Sequence, residues 1–308
     1  MANYNVDNLT AYVEQNKEDL LNALIFEGAT IGKMHKQVGV KTKATINILD
    51  TNPTFQSGDD CGFTPAGDAT LSQRVIETGI IKVNMEICPK SLLGTYAEYL
   101  VRMSAVAEAD RLPFESEFTA NLVNKIKAGL EKAVWQGDTA SSDTTLKHFD
   151  GLLKIAGAEA SVVDVSASAV TTPDTAWDAI QKMYLALPEE ALEKNASIFV
   201  SPSVFRLFMT KVVALNLYHY AGAQNENVHE FVFPGTNVKV VSTQGLSGVK
   251  KMLATYDDNL YYGTDREGDA EEFKLWFSDD DDVFKCKVQW NSGVQFAFPD
   301  HVVLGTIA

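Results

Sequence analysis

The segment Pro113 to Gly137 constrains the fold most, because it reads as one long helix with both ends marked. Pro113 suits a first helical position, where a missing N–H costs nothing, and Glu115 and Glu117 place negative charge at the positive end of the helix dipole. Lys125, Lys127 and Lys132 lie toward the negative end, and Gly137 is a natural left-handed stop. Phe114, Phe118, Leu122, Ile126, Leu130 and Val134 recur every four residues. At 3.6 residues per turn that stripe drifts by roughly 40° per step and winds around the helix, so different partners are expected along its length. Taken alone, these residues also describe an ordinary amphipathic core helix. A length of roughly 33 Å is enough to cross a domain.

The 308 residues, 45% of them hydrophobic, can build a full core and divide into more than one lobe. With 26 basic against 41 acidic residues the formal charge is -15, which argues against broad binding to a phosphate backbone. Cys61, Cys88 and Cys286 are odd in number and lack paired spacing, so reduced thiols in a cytosolic setting are expected. No signal-peptide pattern and no membrane-length apolar run is visible, so neither secretion by a standard signal nor membrane insertion is expected.

Residues Asn8 to Glu27 carry apolar positions at loosely helical spacing on an otherwise polar arm. Lys41 to Leu49 alternates weakly, Asn52 to Gly67 is rich in turn formers, and Leu71 to Ile87 is enriched in β-branched residues. Together they describe an extended hairpin with little core of its own, which either packs on something else or moves freely at the surface. Ser91 to Arg111 reads as helical and ends at the Leu112-Pro113 break. After the long helix the order becomes α then β. A helix follows Thr172-Pro173-Asp174, a buried strand spans Ala196 to Val200, and a helix follows Ser201-Pro202. Strands at Val238 to Ser242, Lys251 to Thr255 and Leu260 to Gly263 make residues 173–264 a compact α/β lobe around one sheet. The tail reads as strands Glu272 to Phe277, Val283 to Trp290, Val294 to Phe298 and Val302 to Leu304.

The search for chemistry returns little. Gly28 to Met34 resembles a phosphate loop but is one residue short and lacks the Ser or Thr that holds magnesium. Gly58-Asp59-Asp60 resembles a polymerase metal turn without supporting carboxylates, and Asp279 to Asp282 lacks the Gly and Glu of a calcium loop. His35, His148, His219, His229 and His301 are dispersed, and the pairs Glu189-Glu190 and Glu271-Glu272 diverge. Cys88 has no neighbouring base and reads as a buried structural thiol. No catalytic, metal or cofactor site is expected, although a site assembled from distant residues stays open.

The succession of arm, hairpin, long helix, α/β lobe and returning strands resembles the Hong Kong 97-type major capsid proteins of tailed bacteriophages. Trp135-Gln136-Gly137-Asp138, His148 to Leu153, Phe233 to Val238, Gln244-Gly245-Leu246, Asn259 to Asp265, Phe273 to Trp276 and Phe298 to Val303 look like family sequence. The resemblance implies an α+β fold: an N-terminal arm (1–40), an extended β-hairpin or E-loop (41–88), and a peripheral domain (89–172) with its spine helix at 113–136. An axial domain (173–264) and return strands of the peripheral domain (265–308) complete it. It implies a non-enzymatic structural protein that assembles with itself into hexamers and pentamers of an icosahedral head. That head encloses double-stranded DNA without sequence-specific binding. Scaffolding, portal and decoration proteins are the implied partners, with a virion location and assembly in the host cytoplasm. The short stretch before the hairpin implies a separate scaffold or a processed chain. Some relatives form Lys–Asn cross-links, but the hairpin tip has no lysine, so Asn291 is not assigned one. Phe55, Phe63 and Arg74 on the hairpin are the candidate subunit-interface residues. Two other readings stay open: an encapsulin-like compartment shell, and a hydrolase or binding protein built on the α/β lobe with the hairpin as a lid.

Overall fold

The computed structural model describes residues 6–26, 28–56, 65–88, 114–217, 229–233, 235–265, 272–278, 280–281 and 283–308. Pro113, Phe63, Asp59, Asp60, Cys61, His219, Glu271 and the helical stretch expected at 91–111 lie outside them.

Where one N-terminal helix is expected there are two, α1 (Val6–Gln15) and α2 (Lys17–Phe26), followed by the strand β1 (His35–Val38). Their apolar residues are not an arm's: Val13, Leu24 and Ile25 are fully buried in the main core. The hairpin follows as β2 (Lys43–Pro53) and β3 (Gly67–Glu77), paired antiparallel from Lys43↔Glu77 to Pro53↔Gly67. After Thr78 the chain continues as β4 (Gly79–Ile87).

The long helix is α3 (Phe114–Gln136), and its apolar stripe winds as expected. Leu122 and Ile126 face Ile81 of β4, whereas the Trp135 ring meets Phe199 with centroids 5.0 Å apart. No basic residue lies in its last turn, so the lysines sit too far from the C-terminus to complement the dipole there.

Next come α4 (Leu152–Ala158) and β5 (Val163–Ala167), then α5 (Pro173–Ala186). Thr172 and Thr175 close a reciprocal capping box at the start of α5, which is the helix-start chemistry legible in Thr-Pro-Asp. α6 (Glu189–Glu193), β6 (Ala196–Val200), α7 (Pro202–Ala214), β7 (Glu230–Val232), β8 (Lys239–Ser242) and β9 (Lys251–Tyr256) complete the second lobe. The chain ends with β10 (Leu260–Thr264), β11 (Glu272–Ser278), β12 (Val283–Phe296) and β13 (Val303–Ile307).

Two sheets result. In the first, β12 pairs with β4 and β11 on either side of its N-terminal half and with β10 near its end, and β1 adds in parallel to β10. The second has the order β5-β13-β9-β6-β8-β7. Four expectations are corrected here. The stretch Leu71 to Ile87, expected as one strand of the hairpin, is two strands: β3 ends at Glu77, and β4 leaves the hairpin to pair with β12. β10 belongs to the first sheet, not to the lobe at 173–264, because its hydrogen bonds go to β1 and β12. β13 leaves the tail strands and inserts between β5 and β9. The two tail strands at 283–290 and 294–298 are one strand, since Asn291 and Ser292 stay in the ladder opposite Ile80 and Gly79.

Candidate assembly surface

The hairpin is anchored at its root and bare at its outer end. Ile46, Ile48 and Ile76 bury together with Val40 and Ala297, forming a small core at the point where β2 and β3 leave the body. Alternation sends Thr45, Asn47 and Leu49 to the other face. Leu49 and Leu71 are partners in the β2–β3 register, and each is 68% exposed. Phe55, one of the residues expected at a subunit interface, is 98% exposed beyond the end of β2. Among the described residues β2 and β3 pair only with each other, so both outer edges carry open backbone groups. A two-stranded ribbon of this kind has too little burial to be stable by itself.

Arg74, the third candidate, is placed differently. Its guanidinium pairs with Glu159 after α4 and reaches Gln295 Oε1 at 3.2 Å, while Gln295 Nε2 donates to the Val75 carbonyl at 2.9 Å. These bonds tie the lower hairpin to the body of its own chain. Exposed apolar side chains farther out were legible only as alternation, and Leu49 and Leu71 were not singled out from sequence.

A second feature lies on the body. An apolar groove of about 440 Å³ runs between β4 and α3, lined among others by Val83, Met85, Phe118, Leu122 and Ile126. Its floor is the side of α3 that the winding stripe turns toward the first sheet.

The remaining sequence candidates do not converge. Gly28 to Met34 forms a short 3₁₀ turn, and Lys33 is paired with Glu230 and so is not free to meet a phosphate. Asp281 accepts from Lys285 and from Ser278 Oγ at 3.1 Å, as a solvated turn does, and hydrogen bonding from Lys285 lowers its pKa. His148 Nε2 lies 2.9 Å from the Thr144 carbonyl, and His301 stacks on Phe298 near Tyr256. Burial pushes the Tyr256 hydroxyl up to about 12 and the Cys286 thiol up to about 11, which leaves neither ready to ionise. Cys88, read from sequence as buried, is exposed, because odd-numbered β4 residues point inward and position 88 falls on the opposite parity. Among the described residues no three His, Cys, Asp or Glu side chains come together.

Comparison with known proteins places this geometry. No family model matches the chain, and no curated protein matches it. Solved structures do match over nearly the whole length. A chain of the satellite phage P4 procapsid, which includes a size determination protein, covers 98% of this chain and 97% of its own at 13% identity, with a TM-score of 0.61. A capsid chain of an empty GTA particle covers 91% and 90% at 12% identity, with a TM-score of 0.57. A chain from Gordonia phage Cozz covers 91% and 86% at 10% identity, with a TM-score of 0.56. The chain therefore has a mixed α/β fold of the kind found in phage capsids.

Proposed function

We propose that this protein is the major structural subunit of an icosahedral phage head of the Hong Kong 97 type. In this reading the β2–β3 hairpin is the E-loop, the segment 1–40 packs into the main core rather than standing off as an arm, and β4 with 89–172 and 265–308 makes the peripheral domain around the α3 spine. Residues 173–264 are the axial domain at the centre of each capsomer, with β10 lent to the peripheral sheet and β13 to the axial one. The subunit associates with itself into hexamers and pentamers around double-stranded DNA, and it works without catalysis or a resident cofactor. Scaffolding, portal and decoration proteins are the expected partners, the virion is its final location and the host cytoplasm its place of assembly.

The hairpin carries the argument. It holds Leu49, Leu71 and Phe55 in water, away from either core of its own chain. Covering such side chains on a neighbouring subunit contributes about 1.5–3 kcal/mol each, a term gained only on assembly. Repetition under closed symmetry then turns modest contacts into a stable shell. Phe63, outside the described residues, stays a candidate on sequence grounds, while Arg74 braces the hairpin from within. A formal charge of -15 suits a wall that must not grip its DNA.

The test is light scattering and negative-stain imaging of the wild type and of the triple variant L49D/L71D/F55S. Wild type with its scaffold is expected to give shells or capsomers. The variant should keep its circular dichroism and stay a single subunit. Shells from the variant as abundant as from wild type would remove the hairpin from the mechanism.

A further inference from the structure

The root of the hairpin covers a set of oxygen atoms that no hydrogen bond among the described residues satisfies. In the first sheet Gln37 registers with Gly263, and Gly263 with Gly293. Side chains alternate along a strand, so Asp265 and Asn291, each two residues from one of those glycines, fall on the same face as Gln37. Thr264 Oγ1 donates to the Asn291 carbonyl at 2.8 Å, which holds the two strands side by side at that level. The hairpin root lies directly on this face. A Cβ on Gly293 would stand 2.1 Å from the Glu77 carbonyl oxygen, and one on Gly263 would stand 2.8 Å from Ile76. At Gly293 only glycine allows so close an approach of backbone, whereas at Gly263 the tip of the Ile76 side chain closes over the strand.

Under it, Asp265 is 3% and Asn291 2% exposed. Asp265 Oδ1, Asn291 Oδ1 and Gln37 Oε1 are all buried without a hydrogen-bond partner. The Asn291 amide cannot escape by flipping, because its Nδ2 donates to the Lys41 carbonyl at 3.1 Å. Three buried acceptors on one face without a donor among the described residues are costly to leave unpaired. A water molecule would supply two donors and no charge. A cation satisfies all three at once.

We propose that Gln37, Asp265 and Asn291 form a hard-cation site beneath the hairpin root, and that Ca²⁺ is the ion it fits. The donors are all oxygen, one carboxylate and two neutral amides, a set that Ca²⁺ accepts in flexible geometry. Mg²⁺ holds its own waters and Zn²⁺ prefers nitrogen and sulfur. Bound there, the ion would pin β1, β10 and β12 together under the base of the hairpin. The site does not depend on the chain forming a shell.

The experiment is calorimetric titration of the EDTA-treated full-length protein with CaCl₂, paired with thermal unfolding in Ca²⁺ and in EDTA. Wild type should show one stoichiometric site above the weak background of an acidic surface and a higher Tm in Ca²⁺. D265N should lose both. Q37M, altered on an edge strand where folding is tolerant, should bind about tenfold more weakly. A wild type with no saturable site overturns the proposal, as does a preference for Mg²⁺ over Ca²⁺. So does a folded D265N or Q37M that titrates like wild type.

Discussion

Glu272 opens β11 with Lys274 and Lys287 both on its carboxylate, and hydrogen bonds from the two, Lys274 foremost, lower its pKa from 4.5 to about 2. Because the folded value is depressed, the stability it lends is fully present above the unfolded value and is lost as the pH falls from about 4.5 toward 2. E272Q should therefore be less stable than wild type at neutral pH, and the two should converge near pH 2 in urea midpoints taken across that range. Midpoints that stay equally far apart at every pH would mean the carboxylate charge is not what Lys274 and Lys287 hold. Such a pair could not be seen in advance. Lys274 is two residues from Glu272, but Lys287 reaches it only through the β11–β12 register. Arg74 shows the same limit, since Glu159 lies 85 positions away and becomes its neighbour only when the hairpin root meets the end of α4.

Among elements, the legible ones were those whose information is local. α3 carried its own repeat, and α5 its capping box; α3 does end before Gly137, but that glycine is not left-handed as expected and is needed because a Cβ there would stand 2.5 Å from the Phe149 carbonyl oxygen. β12 was misread as two strands because Asn291, Ser292 and Gly293 look like a turn; in the structure Gly293 is where the Glu77 carbonyl crosses the strand. G293A should destabilise the protein by about 1–3 kcal/mol, since backbone rather than a flexible side chain must give way. Denaturant unfolding measures this, and an unchanged midpoint would mean the hairpin root is not seated on β12. β1 was missed entirely: its four residues are mostly exposed, and its partner β10 lies in a distant part of the chain. The exposed Phe55 was legible as a hairpin aromatic, but the Leu49–Leu71 pair needed the register before it could be recognised.

Across the whole molecule, α3 joins the two sheets. Trp135 is fully buried, donates to Thr30 Oγ1 at 2.9 Å and packs on Phe199 of the second sheet, while Glu131 one turn earlier accepts from Thr30 and, at 2.8 Å, from Thr243 Oγ1. N-terminal segment, helix and second lobe thus meet at one polar point inside an apolar core. W135A should cost about 3–5 kcal/mol, and it should lower a single transition seen alike by tryptophan fluorescence and far-ultraviolet dichroism. If the lobes instead melted separately in the variant, Trp135 would be the coupling between them rather than part of one common core. The second sheet carries a further consequence, which concerns the order of synthesis. β13 sits between β5 and β9, so until residues 303–307 have left the ribosome the sheet of the lobe that begins at residue 173 ends at β9, and β5 has nothing to join it to. A chain stopped short of them shows the bare edge of β9 and the buried faces of Met252 and Ala254 to chaperones and proteases. The second sheet is therefore complete only once residues 303–307 are in place, however early its other strands are made.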